Sequence, residues 1–183
     1  MAKVKDLQTE FKEKLAPELQ KKLELKNVNA VPKLEKVTVN VGFGSLINSG
    51  NKDFEFIIDN IASIAGQKPV VKEAKKSISN FKLREGSKIG TAVTIRGKKM
   101  YDFVNKLINI VFPRVRDFRG ISKKAFDGNG NYSIGFKEHT VFPEISPDDV
   151  IKFHGVQISI TTSAIDDEQG LALLEAFGFP FKK

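Results

Sequence analysis

The 183-residue chain contains no cysteine. That removes a disulfide framework, a thiolate metal site and a cysteine nucleophile, and it suits a reducing compartment. Histidine is scarce: His139 and His154 are the only two, and neither has metal-ligand spacing with Asp or Glu. No apolar run approaches the roughly 20 residues that span a bilayer. Met1 to Leu25 alternates charge with Leu and Phe and lacks the apolar core of a signal peptide. These absences lead to the expectation of a cytoplasmic protein without a membrane partner. No serine sits in a nucleophile turn, so acyl transfer has no candidate. Gly42-Phe43-Gly44 follows a predicted strand, but the third glycine of a dinucleotide turn would fall at Ile47. Gly50-Asn51-Lys52 lacks the GK[ST] of a phosphate loop. Asp148-Asp149 and Asp166-Asp167-Glu168 read as helix-start acids. The expectation is no enzyme, no cofactor, no metal and no small-molecule substrate.

What is present is basic charge, and it is gathered. Residues 72–99 and 112–124 hold 14 of the 30 Lys and Arg but 3 of the 22 Asp and Glu, a net +11. The rest of the chain sums to −3, giving the overall +8. Charge this concentrated fits a polyanion, whereas an even spread would only aid solubility. The first window carries Lys72, Lys75, Lys76, Lys82, Arg84, Lys88, Arg96, Lys98 and Lys99. The second carries Arg114, Arg116, Arg119, Lys123 and Lys124.

With 40% hydrophobic residues the chain can build a core. We expect one domain over 1–183, with a helical segment at 1–30 and an α+β body at 31–183. Val4, Leu7, Phe11, Leu15, Leu19 and Leu23 form one helical stripe, which Pro17 is expected to kink or break. Val37, Val39 and Val41 alternate with Lys36, Thr38 and Asn40 in a strand. The Gly42–Gly50 loop leads to a helix using Phe54, Ile57, Ile58, Ile61 and Ile64, capped by Gly66. Strands follow at about 69–74 and 88–96, then a helix at about 98–111. Residues Pro113 to Pro147 are less regular, with a turn at Gly128-Asn129-Gly130-Asn131. Val156, Ile158 and Ile160 alternate with Gln157, Ser159 and Thr161, before a helix opened by Asp166 or Asp167 and stopped at Gly178.

This order predicts a mostly antiparallel sheet with helices on one face and the other face open. The predicted open residues are Lys36, Thr38, Asn40, Thr94, Arg96, Gln157, Ser159 and Thr161. Hydroxyls and amides suit 2′-hydroxyls and base edges, and cations suit phosphate, although an ordinary solvated face also carries Thr and Lys. Between the two middle strands lies a long basic loop, KSISNFKLREGS, of about a dozen residues where hairpin loops take two to five. Phe81 near its tip either stacks on a base or tucks back as an anchor. Arg114 and Arg116, two apart, would fork onto phosphate or carboxylate from one side of an extended chain, unless Asp117 pairs with one of them.

These blocks resemble the bacterial large-subunit ribosomal protein L-five family, almost end to end. The resemblance is carried by Ile64-Ala65-Gly66-Gln67-Lys68-Pro69, Ala74-Lys75-Lys76-Ser77, Phe81-Lys82, Val93-Thr94-Ile95-Arg96-Gly97 and Pro113-Arg114-Val115-Arg116-Asp117-Phe118-Arg119-Gly120. Phe126-Asp127-Gly128, Gly130-Asn131-Tyr132-Ser133 and Phe142-Pro143-Glu144-Ile145 add to it. The chain departs from commoner members in its amino-terminal helix and at Ile47 to Phe54. The resemblance implies a protein that binds 5S rRNA in the central protuberance and helps attach it to large-subunit rRNA. It also implies contact with peptidyl-site tRNA and an intersubunit bridge to small-subunit head protein thirteen. It assigns Asn40, Gln67, Thr94 and Arg96 to 5S rRNA, and Lys36 of the same open face is expected to join them. It assigns Lys75, Lys76, Ser77, Asn80, Phe81, Lys82 and Arg84 to tRNA. Arg114, Arg116 and Arg119 go to other rRNA or bridge contacts, within the stretch from Arg114 to Pro147. Two other readings compete: an enzyme on a phosphorylated small molecule, and an RNA-recognition-motif module. The latter would want aromatics where Asn40, Thr94 and Arg96 stand.

Overall fold

The computed structural model describes residues 7–44, 54–146 and 152–182. Val4, the loop from 45 to Gly50, Pro147 and Asp148-Asp149 lie outside them. The chain divides into two compact units. Unit one takes Met1–Val37, Arg96–Ile134 and Ser159–Lys183; unit two takes Thr38–Ile95 and Gly135–Ile158.

In chain order, helix α1 (Leu7–Glu10) passes through a π-turn (Phe11–Leu15) into α2 (Ala16–Lys22). Strand β1 is Leu34–Gly42, helix α3 Glu55–Ala65, β2 Val70–Glu73 and β3 Lys88–Ile95. Helix α4 (Gly97–Lys106) passes through a second π-turn (Leu107–Val111) into α5 (Phe112–Arg114). Strands β4 (Tyr132–Phe136) and β5 (Val156–Thr162) precede α6 (Asp167–Ala176). The five strands form one sheet in the order β2-β3-β1-β5-β4. Its ladders are antiparallel: Val70 pairs with Ala92 and Lys72 with Gly90. Likewise Lys33 meets Ser163 where Asn40 meets Gln157, and Asn131 meets Thr162 where Ser133 meets Ser159. The expected α+β class is the one observed.

Alternation decides which side of each strand is dry. In β1, Val37, Val39 and Val41 are buried while Lys36, Thr38 and Asn40 are half-buried. Full burial of each valine contributes about 1.5–2 kcal/mol. In β5, Val156, Ile158 and Ile160 are buried while Gln157 is exposed. In β3, Val93 and Ile95 are buried and Thr94 is exposed; Thr91 is buried too, its hydroxyl donating to the Val70 carbonyl at 3.3 Å. Within unit two, α3 packs on β3 through Ile57, Ile61 and Ile64. Gly66 ends α3 at φ 62°, where its N–H donates to the Ala62 carbonyl, as the left-handed cap requires.

In unit one, α1 packs on α4 and α2 on α6. Phe11 stacks on Phe177 at 5.4 Å, with Tyr101 6.3 Å from Phe11. Where a kink or break is expected, the chain stays helical through Pro17. Ahead of it the Ala16 N–H donates to the Phe11 carbonyl, five residues back, so the helix widens before the proline. A widened turn gives the ring room from the preceding carbonyls and loses no bond to its missing N–H. Pro113 is handled identically: the Phe112 N–H donates to the Leu107 carbonyl, and the helix expected to stop near 111 runs on to Arg114.

Candidate nucleic-acid interface

Of the residues expected to face 5S rRNA, Asn40, Gln67 and Thr94 lie in unit two. On the sheet side away from the buried valines, the Asn40 Nδ2 donates to Gln157 Oε1 at 3.4 Å. Gln67 is in the turn after α3, and its Nε2 donates to the Thr94 carbonyl at 3.5 Å. The structure therefore joins Gln67 to Thr94, and joins Asn40 to Gln157. Both contacts are long, so exchanging either for an outside partner costs little, on the order of 1 kcal/mol or less. Lys36 and Arg96 belong to unit one: Lys36 is half-buried on β1, and Arg96 is exposed at the extended residue before α4. Also in unit one, the Ser133 and Ser159 hydroxyls meet at 3.1 Å. Ser133 was missed in the sequence, although its place between buried Tyr132 and Ile134 marks it as outward.

The long basic loop is a folded arm. Ala74 and Gly86 close its base through Ala74 N–H to Ser87 O (2.8 Å) and Gly86 N–H to Ala74 O (3.0 Å). Ile78 and Leu83 form an isolated antiparallel bridge, with bonds of 2.9 and 3.1 Å. The Ser77 hydroxyl accepts from the Glu85 N–H at 2.9 Å. A 3-10 turn (Ser79–Phe81) forms the tip, and Lys82 follows it in the left-handed conformation at φ 50°. Lys75, Lys76, Ser77, Asn80, Lys82 and Arg84 are all exposed, as is Phe81 at 65%. The tip therefore presents an aromatic ring among cations, the combination that stacks on bases while holding phosphate.

Arg114, Arg116 and Arg119 are exposed in unit one. Among the described residues none forms an ion pair with Asp117, which turns at φ 51°. The segment carrying them is anchored on both sides. Phe112 stacks on Phe118 at 5.4 Å, and beyond Gly120 the Ile121 N–H donates to the Pro180 carbonyl at 2.8 Å. Gly120 has φ 95°, and a Cβ there would sit 2.9 Å from the Lys182 nitrogen, so only glycine fits this crossing.

Among the described residues, catalytic features do not assemble. The Phe43 N–H of the Gly42-Phe43-Gly44 segment donates to the Ile89 carbonyl at 2.9 Å, and its ring is buried against Phe54, so the segment serves the sheet. Among the described residues no group of three or more His, Asp or Glu could hold a metal ion. The two histidines stack on each other inside unit two.

Comparison with known proteins agrees with this picture. A family model described as "Ribosomal protein L5" matches residues 27–84, and a second model, for the C-terminus of the same ribosomal protein family, matches residues 88–181. The chain is 51% identical over 177 residues to the "Large ribosomal subunit protein uL5" of Halothermothrix orenii, covering 97% of this chain and 98% of that one. It is 51% identical over 183 residues to the protein of the same name from Colwellia psychrerythraea, covering 100% and 99%. A "Large ribosomal subunit protein uL5c" of Gracilaria tenuistipitata is 51% identical over 175 residues, covering 96% and 97%. The chain belongs to the uL5 family of ribosomal proteins, structural components of the large ribosomal subunit rather than enzymes.

Proposed function

We propose that this chain, as a structural constituent of the large ribosomal subunit, binds 5S rRNA and helps attach it in the central protuberance. The observation that carries the reading is the uncharged polar surface of unit two, where Asn40, Gln157, Gln67 and Thr94 stand opposite the valine core. Such a surface bonds 2′-hydroxyls and base edges by shape, with cations adding phosphate affinity. Lys36 and Arg96 supply cations to the 5S contact. The arm bearing Lys75, Lys76, Ser77, Asn80, Phe81, Lys82 and Arg84 touches peptidyl-site tRNA. Arg114, Arg116 and Arg119 serve large-subunit rRNA or the bridge to small-subunit head protein thirteen.

The test is a gel-shift titration of the full chain against 5S rRNA, with tRNA and random duplex as competitors, repeated across a potassium chloride series. With about five phosphates neutralised, log affinity falls against log salt with a slope of roughly −3.5 to −4.5. Thr94→Ala and Asn40→Ala weaken 5S binding and leave that slope unchanged. Lys76→Ala and Lys82→Ala alter tRNA contact and spare 5S capture. Salt-independent association with 5S rRNA, or equal affinity for random duplex, would overturn the reading. Loss of 5S capture in the Lys76 and Lys82 variants would reverse the assignment of surfaces.

A further inference from the structure

His139 and His154 are fifteen residues apart in sequence, yet their rings lie face to face at 3.9 Å and 6° in unit two. His139 is 0% exposed and His154 6%. Every ring nitrogen has a fixed role in this arrangement. The His154 backbone N–H points at His139 Nδ1 at 3.4 Å, so Nδ1 accepts and the His139 proton sits on Nε2. That Nε2 is buried without a partner. On His154, Nδ1 lies 3.4 Å from the Gly155 carbonyl, which can only accept, so Nδ1 carries the proton. Nε2 of His154 then accepts from Asn60 Nδ2 of α3 at 3.5 Å. Each imidazole therefore has its one free lone pair already facing an N–H donor. A second proton on His139 would set two donors head to head, one on His154 would force the Asn60 amide to turn over, and either would place a cation against its stacked neighbour.

The surroundings offer that cation little. The α3 groups against the pair are the neutral Phe56 and Asn60, and the ring of Phe153 is 6.3 Å from His139. Ionisable groups on these elements are Glu55 and Asp59 of α3, Lys137, Glu138 and Glu144 on the segment of His139, and Lys152. The His154 backbone and then Glu138 favour a proton on His139, but Glu138 is exposed and screened by solvent, and burial outweighs both. Burial accordingly holds His139 below the ordinary histidine range. Burial first, and then the neighbouring His139, bring His154 down to about 4.

We propose that the stacked pair is an acid-released latch, clipping residues 137–146 to the lead into β5 while both rings are neutral and freeing them on proton uptake with the sheet still folded. Native-state hydrogen exchange of the full chain, followed by NMR from pH 7.5 to 5.0 and corrected for intrinsic rates, tests this. The opening constant of amides in 137–146 and at 154–155 should stay level above about pH 6.5, where a freed imidazole is neutral, and below it rise by up to about tenfold per pH unit for each proton taken up. Amides of β1 and β3 should not change. Unaltered protection of 137–146, or loss of protection everywhere at once, would overturn the proposal. His139→Phe keeps a flat ring in the stack and removes one titrating imidazole, so the slope should fall by about one proton; a slope like that of the native chain would count against the latch. Should that variant fail to fold, the imidazole C–H resonances of the native chain decide. Titration in step with opening of 137–146 supports the latch, and titration near 6.5 with the segment still protected refutes it.

Discussion

Gly170→Ala sets two magnitudes against each other inside α6. In an exposed helix interior, replacing glycine by alanine stabilises by about 1 kcal/mol through backbone entropy and helix propensity. Here a Cβ on Gly170 would lie 2.6 Å from the Gly130 carbonyl oxygen, 2.8 Å from its Cα and 3.0 Å from its carbonyl carbon. All three are backbone atoms, so no rotamer change can clear them. Gly130 cannot retreat: at φ 72° it is itself packed where a Cβ would meet Ala164 at 2.6 Å, and its N–H donates to Asp167 Oδ1 at 2.9 Å. Overpacking costs roughly 1–3 kcal/mol, and immovable backbone places this case at the upper end. The net expectation is a loss of about 2 kcal/mol, or about 4–8 °C in Tm for a chain of this size. Urea denaturation and calorimetry of the purified variant measure it. An unchanged Tm, or one raised by a few degrees, would show that the Gly130–Gly170 approach is not a constraint and refute the reasoning.

Tyr132 gives an alkaline limb: burial pushes its phenol up to about 12, so the unfolded chain ionises first, near 10. Stability is full below pH 10 and is lost as pH rises from there toward 12; Tyr132→Phe should flatten that limb in pH-dependent denaturation. The same variant loses the 2.6 Å bond to the Ser122 carbonyl, costing about 1 kcal/mol at neutral pH. Asp167 Oδ1 and Oδ2 accept from the Gly130 and Gly128 N–H groups, so Asp167→Asn should cost about 1–2 kcal/mol in urea denaturation. Lys82 occupies the left-handed region, so Lys82→Gly should raise stability by up to about 1 kcal/mol even as it removes a cation, whereas Lys82→Val should lower it.

The strands were legible because burial repeats every second residue, and a valine run such as 37, 39, 41 leaves its neighbours one side to occupy. Helix ends were legible where a single residue type solves a backbone problem. Gly66 reaches φ 62° without strain, and the Asp166 side chain accepts from the Gln169 N–H at 2.8 Å. The π-turns were not legible: the helical stripe of Phe11, Leu15 and Leu19 has ordinary spacing, and only the proline two residues beyond each turn hints at why the register slips. The order within the basic loop was hidden for another reason. Its bonds run through backbone groups and one serine hydroxyl, to which composition is blind. Nor could any local pattern announce that His139 and His154 stack, since the fold alone brings together residues fifteen apart.

The two kinds of chemistry in unit two act over different ranges, and on the proposed reading they serve different RNA partners. The attraction of Lys75, Lys76, Lys82 and Arg84 extends across about a Debye length, roughly 8 Å at physiological salt, and is indifferent to sequence. The amides of Asn40 and Gln67 and the hydroxyl of Thr94 act only at hydrogen-bond distance and only in the right geometry. An exposed arm already closed by its own backbone bonds loses little chain entropy when a partner arrives. The sheet offers a rigid template, because buried valines and isoleucines hold the strands that carry its outward groups. On the proposed reading, selectivity for 5S rRNA rests on the uncharged face, while the arm gives its own partner, tRNA, a longer-range attraction that is indifferent to sequence. Neither a lysine-rich surface nor a polar sheet alone would provide both.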